Sequence, residues 1–170
     1  MTLVETADDA RNVAVADPDN LSFLTQTTLS VDDTSEIIAI LTERFPTIRA
    51  PKGEDICYAT TNRQAAVKLI APQCQRMLVI GAPNSSNSLR LAEASERLGV
   101  PALLIQRASD IDWAWLGQPR TLGLTAGASA PEILVKEVVE ALQQRFTVRT
   151  EEAAHVVEDM VFKLPRSLVA

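Results

Sequence analysis

R-M-L-V-I-G-A-P-N-S-S-N-S, Arg76 to Ser88, is the stretch that decides the fold. M-L-V-I is continuously apolar rather than alternating, the mark of a strand buried on both faces, as in a parallel sheet. Gly81 and the polar, uncharged run Asn84 to Ser88 follow. The sequence then turns helical from Ser86 to Leu98, with Gly99 placed as the C-terminal cap. Downstream, Ala102 to Ile105 reads as a second strand and is followed by a short helical turn containing Trp113 and Trp115. Thr121 to Leu124 then enters T-A-G-A-S-A, Thr125 to Ala130, and Pro131 opens a helix that runs to about Arg145. Upstream, Thr60 to Ile70 is a helix with Ala66, Leu69 and Ile70 on its apolar face, closed by Pro72. Leu21 to Leu29 reads as a strand. Ser30 to Arg44 reads as a helix, with Asp32 and Asp33 at its start, a stripe of Ile37, Ile38, Leu41 and Phe45, and Pro46 at its end. Repeated strand, loop and helix units with short connections imply an α/β class: a parallel sheet with helices on both faces.

The bulk properties bound the function. A chain of 170 residues, 46% hydrophobic, with a mean hydropathy of +0.06, is long enough to bury a real core and reads as one to one and a half domains. A net charge of −6 and a pI near 4.8 argue against nucleic-acid and anionic-membrane surfaces, which need clustered Lys and Arg. No apolar run reaches a membrane span, and Met1 to Asn20 lacks the pattern of a signal peptide, so a cytoplasmic location is expected. In that reducing compartment Cys57 and Cys74 are expected to stay unpaired, and their spacing fits no zinc pattern. The single histidine, His155, sits in a charged tail and reads as a solvated surface residue. Met160 to Leu164 reads as an edge strand before Pro165. The first forty-five residues contain Thr2 to Glu5, a short helix from Ala7 to Val15, and one strand and helix, too few strands to make a sheet. They read as the end of another unit, with further strands expected upstream. The chain is therefore divided into 1–46, part of a preceding α/β lobe; 47–148, a complete lobe; and 149–170, a tail.

Three polar loops, Thr25 to Ser30 (T-Q-T-T-L-S), Asn84 to Ser88 and Thr125 to Ala130, each lie between a strand-like and a helix-like segment. That is where an open parallel sheet binds ligands, and where helix N-termini offer N–H groups to an anion. None of the three carries Lys, Arg, Asp or Glu, so a phosphate would be held by hydroxyl, amide and backbone donors alone. The plain alternative is N-capping, since Ser, Thr and Asn are preferred caps. N-S-S-N-S has more polar side chains than a cap requires. Cys57, in D-I-C-Y-A-T-T-N-R-Q (Asp55 to Gln64), precedes a helix N-terminus, which favours the thiolate and suits a nucleophile or a metal ligand; a small buried hydrophobe is the alternative. Cys74 reads as packing.

L-S-F-L-T-Q-T-T-L-S-V-D-D-T, D-I-C-Y-A-T-T-N-R-Q, N-S-S-N-S-x-R-L and T-A-G-A-S-A-P together resemble, in the same order, the C-terminal half of the hydroxymethylbutenyl diphosphate reductase family. The resemblance implies reductive dehydroxylation of an allylic alcohol diphosphate (HMBPP) in the non-mevalonate route to isoprenoids, at a 4Fe-4S cluster held by three cysteines, with ferredoxin or flavodoxin as electron donor. It implies Cys57 as the third cluster ligand and Ser85, Ser86, Asn87 and Ser129 as diphosphate contacts, with Thr27 near the substrate hydroxyl. The family's first two cysteines, its substrate-facing histidines and its proton-relaying glutamate have no counterpart in this sequence, so no catalytic residue is assigned. A reductase sequence seen incomplete, either as a fragment of the enzyme or as the second piece of a split one with a separate N-terminal half, is the leading expectation; a non-catalytic diphosphate-binding fragment or remnant is the alternative.

Overall fold

Strand β1, Arg76–Ile80, lies at the centre of a three-stranded parallel sheet between β2, Ala102–Ile105, and β3, Leu122–Ala126. Met77 pairs with Ala102 through to Ile80 with Ile105 on one side, and Arg76 with Leu122 through to Ile80 with Ala126 on the other. This computed structural model describes residues 1–52 and 55–153. The central position explains the unbroken apolar run, because both faces of β1 are covered. Leu78 and Ile80 point into a core with Ile105, Ile111, Leu116, Val138 and Leu142, contributed partly by α5 (Trp113–Leu116) and α6 (Glu132–Arg145). Met77 and Val79 point the other way, onto Val67 and Ala71 near the end of α3 (Tyr58–Ile70) and Leu91 of α4 (Ser86–Arg97). Burial at this level is worth about 1.5–3 kcal/mol per large apolar side chain. The α/β fold with helices on both faces of a parallel sheet is as the sequence implies.

Gly99 ends α4 with φ +77°, a left-handed conformation that glycine adopts without a Cβ clash. Its amide donates to the Glu96 carbonyl (2.9 Å), and Ser95 Oγ donates to Val100 O (2.8 Å), so the turn into β2 is fully bonded.

Three expectations are corrected. Leu21 to Leu29 forms no strand beyond a single parallel bridge, Ser22 to Arg49, in which the Phe23 amide donates to Arg49 O (3.2 Å) and the Arg49 amide to Leu21 O (2.9 Å). Extended residues become a ladder only when a neighbour runs alongside them, and here one short segment does so for three residues. The inward face of α3 is Thr60, Gln64, Val67 and then Ala71, whereas Leu69 is exposed. Counting only apolar residues misassigned that face because it buries two polar side chains. The first helix, α1 (Ala7–Asn12), is also shorter than expected. His155 and Met160 to Leu164 lie outside the described residues.

The N-terminal segment has its own small core, Ala10, Leu41 and Phe45, between α1 and α2 (Val31–Arg44). The Arg44 guanidinium donates to the carbonyls of Ala10 and Val13, satisfying acceptors that the end of α1 leaves open. Lys68 to Asp32 (2.6 Å) and a two-pronged Arg97 to Asp33 pair (2.6 Å on each prong) tie α2 to α3 and α4.

Candidate functional site

The sheet sets the site by bringing the carboxyl ends of β1 and β3 side by side. The loop after β1 leads into α4, and the loop after β3 leads towards α6. The remaining two walls are residues 25–30 and the N-terminus of α3. Backbone and side-chain hydrogen bonds join these pieces. The Cys57 amide donates to Thr27 O (2.9 Å), Ser86 Oγ lies 3.5 Å from Thr28 O, and the Gly127 amide donates to Ile80 O (2.8 Å). Asp55 Oδ2 accepts the Thr25 amide (2.9 Å). Residues far apart in the chain, Thr27, Cys57, Ser85 to Asn87 and the loop of Ser129, thus share one end of the fold.

The hydroxyls divide between capping and exposure. Ser30 caps α2 by accepting the Asp33 amide (3.2 Å), and Ser85 caps α4 by accepting the Ser88 amide (3.4 Å) and the Ser88 hydroxyl (3.0 Å). Capping therefore accounts for Ser30 and Ser85. It does not account for Thr27, Ser86 and Ser129, which are exposed, nor for α6, whose N-cap is Pro131 with no side-chain cap. Cys57 occupies the N-cap position of α3 and is half-buried; its carbonyl accepts the Thr60 and Thr61 amides at 2.8 and 3.0 Å, while its thiol makes no capping bond.

Asn87 is the exception among the buried polar side chains of the described residues. It is only 6% exposed, yet both its Oδ1 and its Nδ2 lack a hydrogen-bond partner. Leaving such a group unpaired costs about 1–3 kcal/mol, and native structures rarely do so without a reason. The carboxamide sits in the first turn of α4, where backbone N–H groups also lack intrahelical acceptors, and it lies against the Gly127 loop. The Nδ2 donor is held there beside the positive end of a twelve-residue helix. That combination suits an oxyanion with several oxygens.

Two side chains that the sequence reading passed over hold this arrangement. Gln64, buried on α3, donates from Nε2 to Leu29 O (2.9 Å) and accepts the Val31 amide at Oε1 (3.1 Å), clamping the first loop and α2. Arg63 donates from Nε to Ala126 O (3.1 Å), which brings a guanidinium to the end of β3 although no loop carries a charge. The available signal was their place inside D-I-C-Y-A-T-T-N-R-Q; helical phase, once known, turns both inward.

The thiols test the fit of an iron–sulfur cluster. Cys57 and Cys74 lie beyond opposite ends of α3, a thirteen-residue helix about 20 Å long. The Cys74 thiol donates to the Ile70 carbonyl (3.2 Å), and burial pushes its pKa up. Among the described residues, no three Cys, His, Asp or Glu side chains gather to hold a metal. A cysteine-held cluster needs several thiolates at one point, so these residues alone do not fit it.

A family model described as LytB protein matches residues 1–143. The chain belongs to the LytB family. It is 55% identical over 169 residues to a protein of Bradyrhizobium diazoefficiens named 4-hydroxy-3-methylbut-2-enyl diphosphate reductase 1, covering 99% of this chain and 52% of that one. A reductase of Hyphomonas neptunium is 56% identical, with 99% of this chain and 54% of the relative covered. The solved structure of the E-1-hydroxy-2-methyl-but-2-enyl-4-diphosphate reductase from Plasmodium falciparum superposes with a TM-score of 0.86 at 33% identity, over 96% of this chain and 52% of that one. The chain thus spans about half the length of the LytB relatives it matches. Among the described residues no helix is long and apolar enough to cross a membrane.

Proposed function

We propose that this LytB-family chain supplies the diphosphate-holding part of a cytoplasmic 4-hydroxy-3-methylbut-2-enyl diphosphate reductase. The observation that carries the reading is the buried, unpartnered carboxamide of Asn87 at the N-terminus of α4. A diphosphate entering there finds this amide, the first-turn N–H groups of α4, the hydroxyl of Ser86 at the start of α4 and that of Ser129 on the loop after β3, with Ser85 reaching it from its capping position. Thr27, held beside Cys57 by the Cys57 amide, faces the substrate's hydroxyl end. The overall reaction assigned to the complete enzyme takes two electrons and two protons, breaks the allylic C–O bond, and releases water with isopentenyl or dimethylallyl diphosphate. In the complete enzyme Cys57 would supply one thiolate to a 4Fe-4S cluster, whose other ligands and proton donor would come from outside the residues described and whose electrons a ferredoxin or flavodoxin would deliver.

Calorimetric titration with inorganic pyrophosphate tests the binding part. Asn87→Ala is expected to weaken binding by about 1–3 kcal/mol, the cost of removing one partner from a charged group. Equal affinity in both proteins would return N-S-S-N-S to capping alone.

The single thiol at the site supports a second reading, a diphosphate-binding protein that performs no reduction. Iron and acid-labile sulfide after anaerobic reconstitution separate the two. Iron bound in the presence of a complementary half and lost in Cys57→Ser supports the reductase, and no iron under any pairing supports the binding protein.

A further inference from the structure

Ser88 is fully buried, next in the chain to Asn87, and surrounded by two glycines from different loops. A Cβ placed on Gly81, at the end of β1, would overlap Ser88 Oγ and approach Ser88 Cβ to 2.6 Å. A Cβ placed on Gly127, after β3, would also overlap Ser88 Oγ, and would lie 3.5 Å from Ser88 Cβ and 3.7 Å from Asn87 Nδ2. Neither glycine has a positive φ. Their lack of a side chain therefore answers to close approach and not to backbone conformation. The Ser88 hydroxyl completes the contact by donating to Ser85 Oγ (3.0 Å), the cap of the same helix.

We propose that Ser88 is a positioning residue: wedged between Gly81 and Gly127, its hydroxymethyl group sets how closely the first turn of α4 approaches the ends of β1 and β3, and so the depth at which Asn87 presents its carboxamide. The diphosphate role of Asn87 rests on the reading given above; the wedge itself does not. In packed interiors, volume added at such a point is relieved by moving a neighbour, because no void is available to take it up. At Gly127 a methyl group overlaps only the Ser88 hydroxyl, its other neighbours lying at ordinary contact distance, so the hydroxyl must rotate away from Ser85 or push the turn outward. At Gly81 it meets Ser88 Cβ as well, so loss of the hydroxyl cannot make room.

The two glycines therefore predict different rescue patterns, read in the full chain by amide hydrogen exchange in the first turn of α4 and by pyrophosphate affinity. Gly127→Ala should speed exchange at Leu89, whose amide donates to Ser85 O (3.0 Å), by about tenfold, with a similar loss of pyrophosphate affinity. Adding Ser88→Ala should restore both. Gly81→Ala should give the same defects, unrelieved by Ser88→Ala and relieved by Ser88→Gly. Rescue of both glycine variants by Ser88→Ala, or of neither, would overturn the wedge, as would a Gly127→Ala protein with unchanged exchange. If Gly81→Ala does not fold, the Gly127 pair alone decides. Restored exchange and melting temperature with affinity still lost would also overturn the positioning role. Exchange patterns as expected, in a wild-type chain that does not bind pyrophosphate, would keep the wedge and sink the diphosphate reading instead.

Discussion

The lobe built on β1 to β3 and the segment before it use similar helices but differ in what those helices cover. In the lobe, Met77, Leu78, Val79 and Ile80 are all completely buried, because a central parallel strand receives helices on both faces. In the first fifty residues, α1 and α2 close over Ala10, Leu41 and Phe45, the only strand-like pairing is the Ser22 to Arg49 bridge, and Leu3 and Leu24 are 74% and 80% exposed. The lesson is that helix amphipathicity is not enough to make a stable layer. A sheet of three strands provides a surface on which two helical layers can be packed; a single bridge does not.

The largest expected effect comes from the core of the lobe. Leu78→Ala should destabilise the chain by about 3–4 kcal/mol, and Leu41→Ala in the N-terminal cluster by about 2 kcal/mol, measured by urea unfolding. Hydrogen exchange provides the matching map: amides in Leu21 to Phe45 should exchange faster than those in Met77 to Leu142. Equal losses and uniform protection would erase the contrast between the regions.

Gln64 tests the seam between them. Gln64→Leu keeps the volume but leaves the Val31 amide and the Leu29 carbonyl without their partner, and should cost about 1–3 kcal/mol in thermal unfolding. Exchange should rise in residues 29–31 and not in β1. An unchanged melting temperature would mean that the seam is held by other contacts.

The smallest effect belongs to the exposed clasp. The Asp33 carboxyl is held below its ordinary value of 3.8, first by the hydrogen bond from Arg97 and further by that group's charge, with burial opposing them. A depressed folded-state value means that the stabilisation is fully present above the ordinary value and lost as pH falls through the folded one. Both side chains are more than 40% exposed, so solvent screening limits Asp33→Asn to about 0.5 kcal/mol at neutral pH. The difference between mutant and parent should vanish only below about pH 4, checked by thermal melts across pH. A difference that instead disappears between pH 5 and 7 would exclude Asp33 as the titrating group.

Much of this was legible in the residues. The unbroken M-L-V-I run identified a two-faced central strand, Gly99 a left-handed cap, and Pro46 and Pro72 the helix ends, since each depends on local stereochemistry or on a short pattern. The strand expected over Leu21 to Leu29 was not legible, because pairing depends on what runs alongside. The face of α3 was misread for a related reason: Thr60 and Gln64 are buried only because neighbouring segments offer their polar groups partners.

Sequence by itself determined the α/β class, the order of the elements, the three polar loops and the family, all of which reside in local patterns and in motifs read along the chain. Only the tertiary structure decided that Ser85 is a cap while Asn87 is buried without a partner, that Arg63 reaches the end of β3, and that Gly81 and Gly127 close on Ser88. Those facts depend on distances between segments far apart in the chain, and such distances exist only once the sheet has brought the ends of its strands together.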